Sequence, residues 1–86
     1  MDYTFMFAYR EKAIALYNSK KYAESLNILN RAITLQNNFD EGYYWMGRCY
    51  EKLDKRTEAI ECYKTALQID PDYAEASDAL SKLGVK

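Results

Sequence analysis

The chain repeats itself at an interval of 34 residues, and this interval constrains its fold more than any other feature. When the sequence is shifted by 34, Tyr9 falls on Tyr43 and Ala32 falls on Ala66. Small residues meet small ones and large residues meet large ones, as two segments that pack alike require. Further pairs of this kind are Ala13 with Gly47, Leu16 with Tyr50, Ser25 with Ala59, and Leu29 with Tyr63.

Candidate helix starts recur at the same interval. Thr4, Asn38 and Asp72 are residue types that favour the N-cap, where a side-chain oxygen accepts from the free N–H groups of the first turn. Each is followed directly by an aromatic residue. Glu41 and Glu75 stand three residues after the second and third caps, the spacing of a capping box. These positions therefore predict the starts of three helices.

Apolar residues at helical spacing predict further helices between those starts. The stripes are Tyr22, Leu26, Leu29 and Ile33, then Ile60, Tyr63 and Leu67. The helices are separated by breaks near residues 18–20 and 54–55, by Asp70 before Pro71, and by Gly84. We expect five helices near residues 5–18, 22–36, 39–53, 56–69 and 73–83. No strand is expected, because alternation and hairpin dipeptides are missing.

Composition bounds the class of protein. The chain of 86 residues is long enough for one domain, and 49% hydrophobic with 29% charged residues fits a folded globule. The net charge is −1 without a block of like charge, so no nucleic-acid or membrane partner is expected. Cys49 and Cys62 make no disulfide framework, and the apolar start lacks a basic region. We therefore expect a cytoplasmic protein.

Residues that carry chemistry are sparse. The sequence has no histidine, which removes the commonest general base and metal ligand. Cys49 and Cys62 lack the close second pair that zinc sites use, and the glycines form no phosphate-binding loop. We expect no enzyme, no catalytic residue, no metal and no cofactor.

The second unit resembles the tetratricopeptide repeat (TPR) family, whose unit is a helix pair of 34 residues. Its eight signature positions hold Tyr43, Met46, Gly47, Tyr50, Ala59, Tyr63, Ala66 and Pro71. The first unit departs from the pattern at Lys12, Ser25 and Asn37. The resemblance implies an all-α solenoid within a single domain, 1–86. Two helix-turn-helix repeats, about 6–39 and 40–73, would be followed by a C-terminal capping helix at about 74–84.

The resemblance also implies a concave groove, lined by the first helix of each pair. The groove residues would be Phe7, Arg10, Ile14, Tyr17, Tyr44, Trp45, Arg48 and Glu51, with Asp78 and Lys82 from the last helix. Aromatic residues and arginines dominate binding energies, and Arg10 and Arg48 can hold a carboxylate or a phosphorylated side chain. Alternatively, Tyr44 and Trp45 only pack between units and the arginines are solvated. In the same register, Cys49 would be buried and Cys62 would face outward.

Family members that hold the acidic tails of heat-shock chaperones use five polar positions. Here these positions read Arg10, Ile14, Trp45, Glu75 and Ala79. Only Arg10 suits that ligand, and Glu75 would repel a carboxylate, so this function is disfavoured.

The apolar start permits three readings. Its residues Tyr3, Phe5, Met6 and Phe7 would be largely covered, would pair two copies of the chain, or would meet another partner. Lys12 and the polar last helix suggest terminated ends, yet two repeats fall short of the roughly three needed for independent stability. The leading hypothesis is a module that binds a peptide of a partner protein in the groove. The alternative is a self-associating assembly unit, a homodimer through the first helix.

Overall fold

Five helices make up the fold seen in the computed structural model, which describes residues 3–85 and their side chains from residue 6 onward. The helices are α1 (Tyr3–Asn18), α2 (Tyr22–Leu35), α3 (Asp40–Lys52), α4 (Arg56–Ile69) and α5 (Ala74–Lys82). Each predicted helix is present, with ends within two residues of those expected. No strand occurs within residues 3–85, and no helix there is long and apolar enough to cross a bilayer.

The helices pack in chain order. The helix α1 lies on α2, α2 on α3, α3 on α4 and α4 on α5, and α1 also reaches α3. Two helical hairpins are therefore stacked side by side, and α5 covers the second. The all-α solenoid with a capping helix is confirmed. Fully buried Ala32 and Ala66 keep the seams between successive units narrow, as their shared position in the repeat predicts.

The central core joins the two hairpins and contains both cysteines. Ala13 and Leu29 of the first pair meet Cys49 and Cys62 of the second. The expectation that Cys62 faces outward is wrong, because its side chain is only 9% exposed. It shares the buried face of α4 with residues three and four positions away along the helix. Burial raises the pKa of the Cys62 thiol to about 11 and also raises that of Cys49, so both are neutral apolar fillers.

The two hairpins fill their inner seams with side chains of complementary size. A Cβ atom at Gly47 would lie 2.5 Å from the ring of Tyr63, which is fully buried. The corresponding residues of the first hairpin are Ala13 and Leu29, so a larger residue on the first helix accompanies a smaller one on the second. The atoms nearest to a Cβ at Gly47 thus belong to Tyr63.

The helices α1, α3 and α5 end in the same kind of turn. Lys20 and Asp54 lie 34 positions apart and adopt left-handed φ values of 63° and 60°, and Gly84 has a φ of 83°. The next residue in each turn donates its N–H to a carbonyl five positions back: Lys21 to Leu16 at 2.8 Å, Lys55 to Tyr50 at 2.9 Å, and Val85 to Leu80 at 2.9 Å. These are Schellman turns, and the predicted breaks there are confirmed.

The helix starts differ from the predicted caps. The helix α1 begins at Tyr3, so Thr4 lies inside it, and the cap positions of α3 and α5 are Phe39 and Tyr73. Neither cap position carries a side-chain capping hydrogen bond. The Phe39 ring is instead buried against Met6 and Ala32. Tertiary burial of the aromatic residue, rather than a polar cap, thus anchors the start of α3.

The outward faces of the first and last helices are polar. Lys12 is exposed on α1, whereas its counterpart Met46 on α3 is 5% exposed and packs in the central core. Ser77 and Ser81 are likewise exposed on α5. These faces are suited to contact with water.

Exchange of the seam residues provides a test of the size complementarity. Gly47→Ala should lower the free energy of unfolding by about 1–3 kcal/mol, because the new methyl group displaces a ring that has no free space. The variant Gly47→Ala/Tyr63→Leu reproduces the first hairpin. Urea unfolding should show that this double variant loses less free energy of unfolding than the two single variants lose in sum. The difference should be at least about 0.5 kcal/mol. Additive losses would contradict the complementarity.

Replacement of Lys20 tests the left-handed turn. Lys20→Gly should raise the free energy of unfolding by about 0.5–1 kcal/mol, since glycine removes the strain of a Cβ atom at positive φ but adds backbone entropy. Lys20→Ala is the control, because it removes the same side chain while keeping the Cβ atom. An equal gain from both variants in thermal melts would assign the effect to the lysine charge.

Candidate functional site

An open cavity of about 360 Å³, the central trough, lies between α1, α3 and α5. The predicted groove residues around it are Tyr17, Tyr44, Arg48, Glu51, Asp78 and Lys82, joined by Lys52, Tyr63, Glu75 and Ala79. The inner helices supply nearly all of this lining, because successive hairpins stack with their first helices side by side. Tyr63 reaches the trough from α4, and its hydroxyl donates to the Glu51 carboxylate.

A second cavity of about 390 Å³ adjoins the trough and shares Tyr44, Arg48 and Glu75 with it. Its lining also includes Arg10, Ile14 and Trp45. All predicted groove residues except Phe7 thus line one continuous surface.

The guanidinium of Arg48 lies among three aromatic rings at the centre of this surface. Its guanidinium carbon is 4.7 Å from the centre of the Trp45 ring, 4.8 Å from that of Tyr17 and 5.9 Å from that of Tyr44. Such rings attract a cation through their electron-rich faces and hold it in place. Within residues 3–85, arginine–carboxylate ion pairs are formed by Arg10 alone. Arg48 is therefore a positioned cation whose charge no carboxylate of the described part neutralises at close range.

Arg10 has a different role from Arg48. One of its terminal nitrogens lies 2.7 Å from Glu41 on α3, another lies 3.5 Å from Glu11, and its guanidinium stacks 5.1 Å from the Phe7 ring. The hydrogen bond to Glu41 raises the pKa of Arg10. This contact ties α1 to α3, so Arg10 is already occupied by partners within the chain.

Trp45 both packs between helices and lines the groove, which the sequence analysis treated as alternatives. Its ring meets Tyr17 edge-on at 5.4 Å and Tyr44 at 5.6 Å, and it packs partly against the central core. It also lines the second cavity. The ring therefore joins α1 to α3 and presents its remaining surface to the groove.

The groove becomes strongly acidic where α3 and α5 begin. A cavity of about 320 Å³ there is lined by Asp40, Glu41, Asp70, Asp72, Tyr73, Ala74 and Glu75. Partial burial raises the pKa of Asp40, and the nearby charges of Glu41 and Asp70 add to this effect. Burial, together with the charges of Glu41 and Asp40, also raises the pKa of Tyr73. Among residues 3–85, however, no group of three acidic, cysteine or histidine residues is arranged to hold a metal ion.

Sequence reasoning overlooked Tyr73 as a groove residue. Its ring lies 5.3 Å from that of Tyr44, at an interplanar angle of 31°. The aromatic residue after each predicted cap was the available signal, but its counterpart Phe39 is buried against α1 and α2. The Tyr73 ring, in contrast, is only half-buried among the described residues.

The apolar start is only partly exposed. The expectation that Met6 contributes to a self-association surface is wrong, because Met6 is 8% exposed and packs against Phe39. Phe7 is 54% exposed and lines a separate cavity of about 450 Å³ next to Arg10. The side chains of Tyr3 and Phe5 lie outside the described residues.

Comparison with known proteins gives matches to repeat-containing proteins. The sequence model of the family described as tetratricopeptide repeat matches residues 40–73. The "Inactive peptidyl-prolyl cis-trans isomerase shutdown" of Bombyx mori is 33% identical over 82 residues, which cover 92% of this chain. The "DnaJ homolog subfamily C member 7 homolog" of Dictyostelium discoideum is 27% identical over 67 residues, 78% of this chain. The matches span only 18% and 12% of the lengths of those two proteins.

Proposed function

This chain belongs to the tetratricopeptide repeat family, whose domains generally mediate protein–protein interactions, and we propose that it binds a peptide segment of a partner protein in its concave groove. The proposed role is that of a non-enzymatic interaction module. A cytoplasmic location is part of the proposal, and it is supported by the two free thiols of the core.

One observation carries the proposal: Arg48 lies among three aromatic rings at the centre of an open trough and forms no ion pair with the described carboxylates. The rings restrict the side chain, so little conformational entropy remains to be lost when a ligand binds. The guanidinium offers hydrogen-bond donors that suit a carboxylate of the partner. Tyr44 and Trp45 supply apolar surface beside that contact. Tyrosine, tryptophan and arginine together are the residue types in which binding energy concentrates.

Peptide binding can be tested with a phage-displayed library of random 12-residue peptides selected on the full chain. Synthetic copies of enriched peptides should lose at least about tenfold in affinity on Arg48→Ala, since a charge-assisted hydrogen bond contributes roughly 1.5–3 kcal/mol. Fluorescence anisotropy of labelled peptides gives the affinity. Arg31→Ala is the matched control, because Arg31 is exposed on α2 and lines neither the trough nor its neighbours.

Unchanged affinity on Arg48→Ala would refute the groove. Thermal melts of both variants establish that the helices remain folded. Trp45 is the sole tryptophan of the chain, so its emission in the unmodified protein should shift as the peptide is added.

Self-association through the first helix is a second candidate, favoured by the exposed ring of Phe7. The ring lies at the edge of a cavity that also exposes part of the α2–α3 junction. A second copy of α1 could bury the Phe7 ring there, and burial of one such side chain is worth about 1.5–3 kcal/mol. Met6 also lines this cavity but offers little surface there, since it is 8% exposed and packs against Phe39.

Light scattering behind a size-exclusion column tests this candidate. A dimer that Phe7→Glu converts to monomer would support it, because a charge cannot be buried unpaired in an apolar contact. Lys12→Glu is a control on the same helix, since Lys12 is exposed. A strict monomer at high protein concentration would exclude the homodimer.

A further inference from the structure

We propose that the groove selects the direction of its peptide, with a lysine or arginine of the peptide at the acidic end and an aspartate or glutamate beside Arg48. This inference rests on the proposed peptide-binding function and names the chemistry of the partner. It also explains an arrangement of charges that the repeat interval places twice in the same groove.

The two inner helices of the groove carry the same ordered pair of charges. On α3, Glu41 in the first turn is followed by Arg48, and on α5, Glu75 is followed by Lys82. Both pairs span seven residues, and the two pairs lie 34 residues apart. The equivalent residues of α1 are Phe7 and Ile14, so the pair belongs to the wall between α3 and α5.

Helix dipoles favour an acidic first turn and a basic last turn in every helix, but only some helices of this chain have both. An acidic residue in the first turn is favourable in any helix, and the outer helices α2 and α4 also have one there, Glu24 and Glu58. Neither outer helix has a basic residue in its last turn, whereas α3 ends with Lys52 and α5 with Lys82. The complete acid-to-base order is therefore present in α3 and α5, which face the groove, and in neither outer helix.

The residues that line the cavities form a gradient of charge along the groove. The cavity at the start of α3 and α5 has five carboxylates and no basic residue in its lining. The central trough instead combines Arg48, Lys52 and Lys82 with Glu51, Glu75 and Asp78, so its charges balance. Glu75 lines both cavities and the one between them, so a peptide can pass from one end to the other without leaving the groove.

The contacts within the chain leave both the acidic end and Arg48 able to bind charged groups of a peptide. Arg10 offsets Glu41 by its ion pair but is paired with neither Asp40 nor Glu75 among the described residues. At the other end, Arg48 contacts rings rather than carboxylates. A cation from the partner would therefore meet uncompensated negative charge at one end. An anion would meet a held guanidinium at the other.

The spacing of the charges defines the peptide further. Seven residues of helix rise about 10 Å from Glu41 to Arg48 or from Glu75 to Lys82. An extended peptide covers that distance in about three residues, and a helical one in about seven. The expected ligand thus carries a basic and an acidic residue, in one order, at one of these two separations.

Deep sequencing of peptides selected on the full chain from the random 12-residue library tests the inference. The enriched set should contain the ordered charge pair at one of the two separations at least about threefold above its frequency in the unselected library. Selection on Glu75→Lys should remove the preference at the basic position while keeping the acidic one. Glu58→Lys is the matched control, because it reverses the same charge in the first turn of an outer helix.

The outcomes separate the two proposals. Enriched peptides without an ordered charge pair, or an unchanged pair on Glu75→Lys, would overturn the directional groove and leave peptide binding intact. A pair that disappears equally on Glu58→Lys would overturn it as well, because net charge would then be the cause. The absence of any enriched peptide on the unmodified chain would refute peptide binding itself.

Discussion

The contact between Tyr63 and Gly47 is the constraint on which the rest of the structure depends. The ring occupies the place where a side chain at position 47 would stand, so the packing of α3 against α4 requires a glycine there. The same residue then extends its hydroxyl to Glu51 on the trough. One side chain thus fixes the hairpin and sets part of the binding surface. Because Tyr63 belongs to both the core and the groove, a substitution that alters the packing of one also alters the surface of the other.

The repeat interval made the architecture predictable, because each position on one hairpin meets the same kind of neighbour on the next. Buried Ala32 and Ala66 and the left-handed turns at Lys20 and Asp54 follow from that equivalence. The errors lie where the equivalence ends. Met6 is buried because Phe39, at the start of α3, covers it, and a polar cap at Asn38 is replaced by that same aromatic contact. Local patterns do not contain such long-range contacts.

The sequence pattern likewise predicted which residues line the candidate site but not which partners they have. The sequence predicted the same role for Arg10 and Arg48 in the groove, and both line it in the structure. Their availability differs because Glu41, which is 31 positions from Arg10 in the chain, is close enough to pair with it. Arg48 has aromatic neighbours instead. Residue type and periodicity thus predicted the surface, while the difference in pairing between Arg10 and Arg48 required the tertiary structure.

Repetition also gives a groove a direction. Stacked copies of one hairpin bring their first helices side by side and parallel, so a charge order written along one inner helix is repeated beside it rather than cancelled. Glu41 and Glu75 therefore both line the acidic end, whereas Arg48 and Lys82 both line the trough, where acidic residues balance the basic ones. An antiparallel bundle built from the same helices would place opposite charges side by side. Under the proposed function, a solenoid of two units offers a peptide a directional surface, and each added unit that kept the charge order would broaden this surface without a new fold.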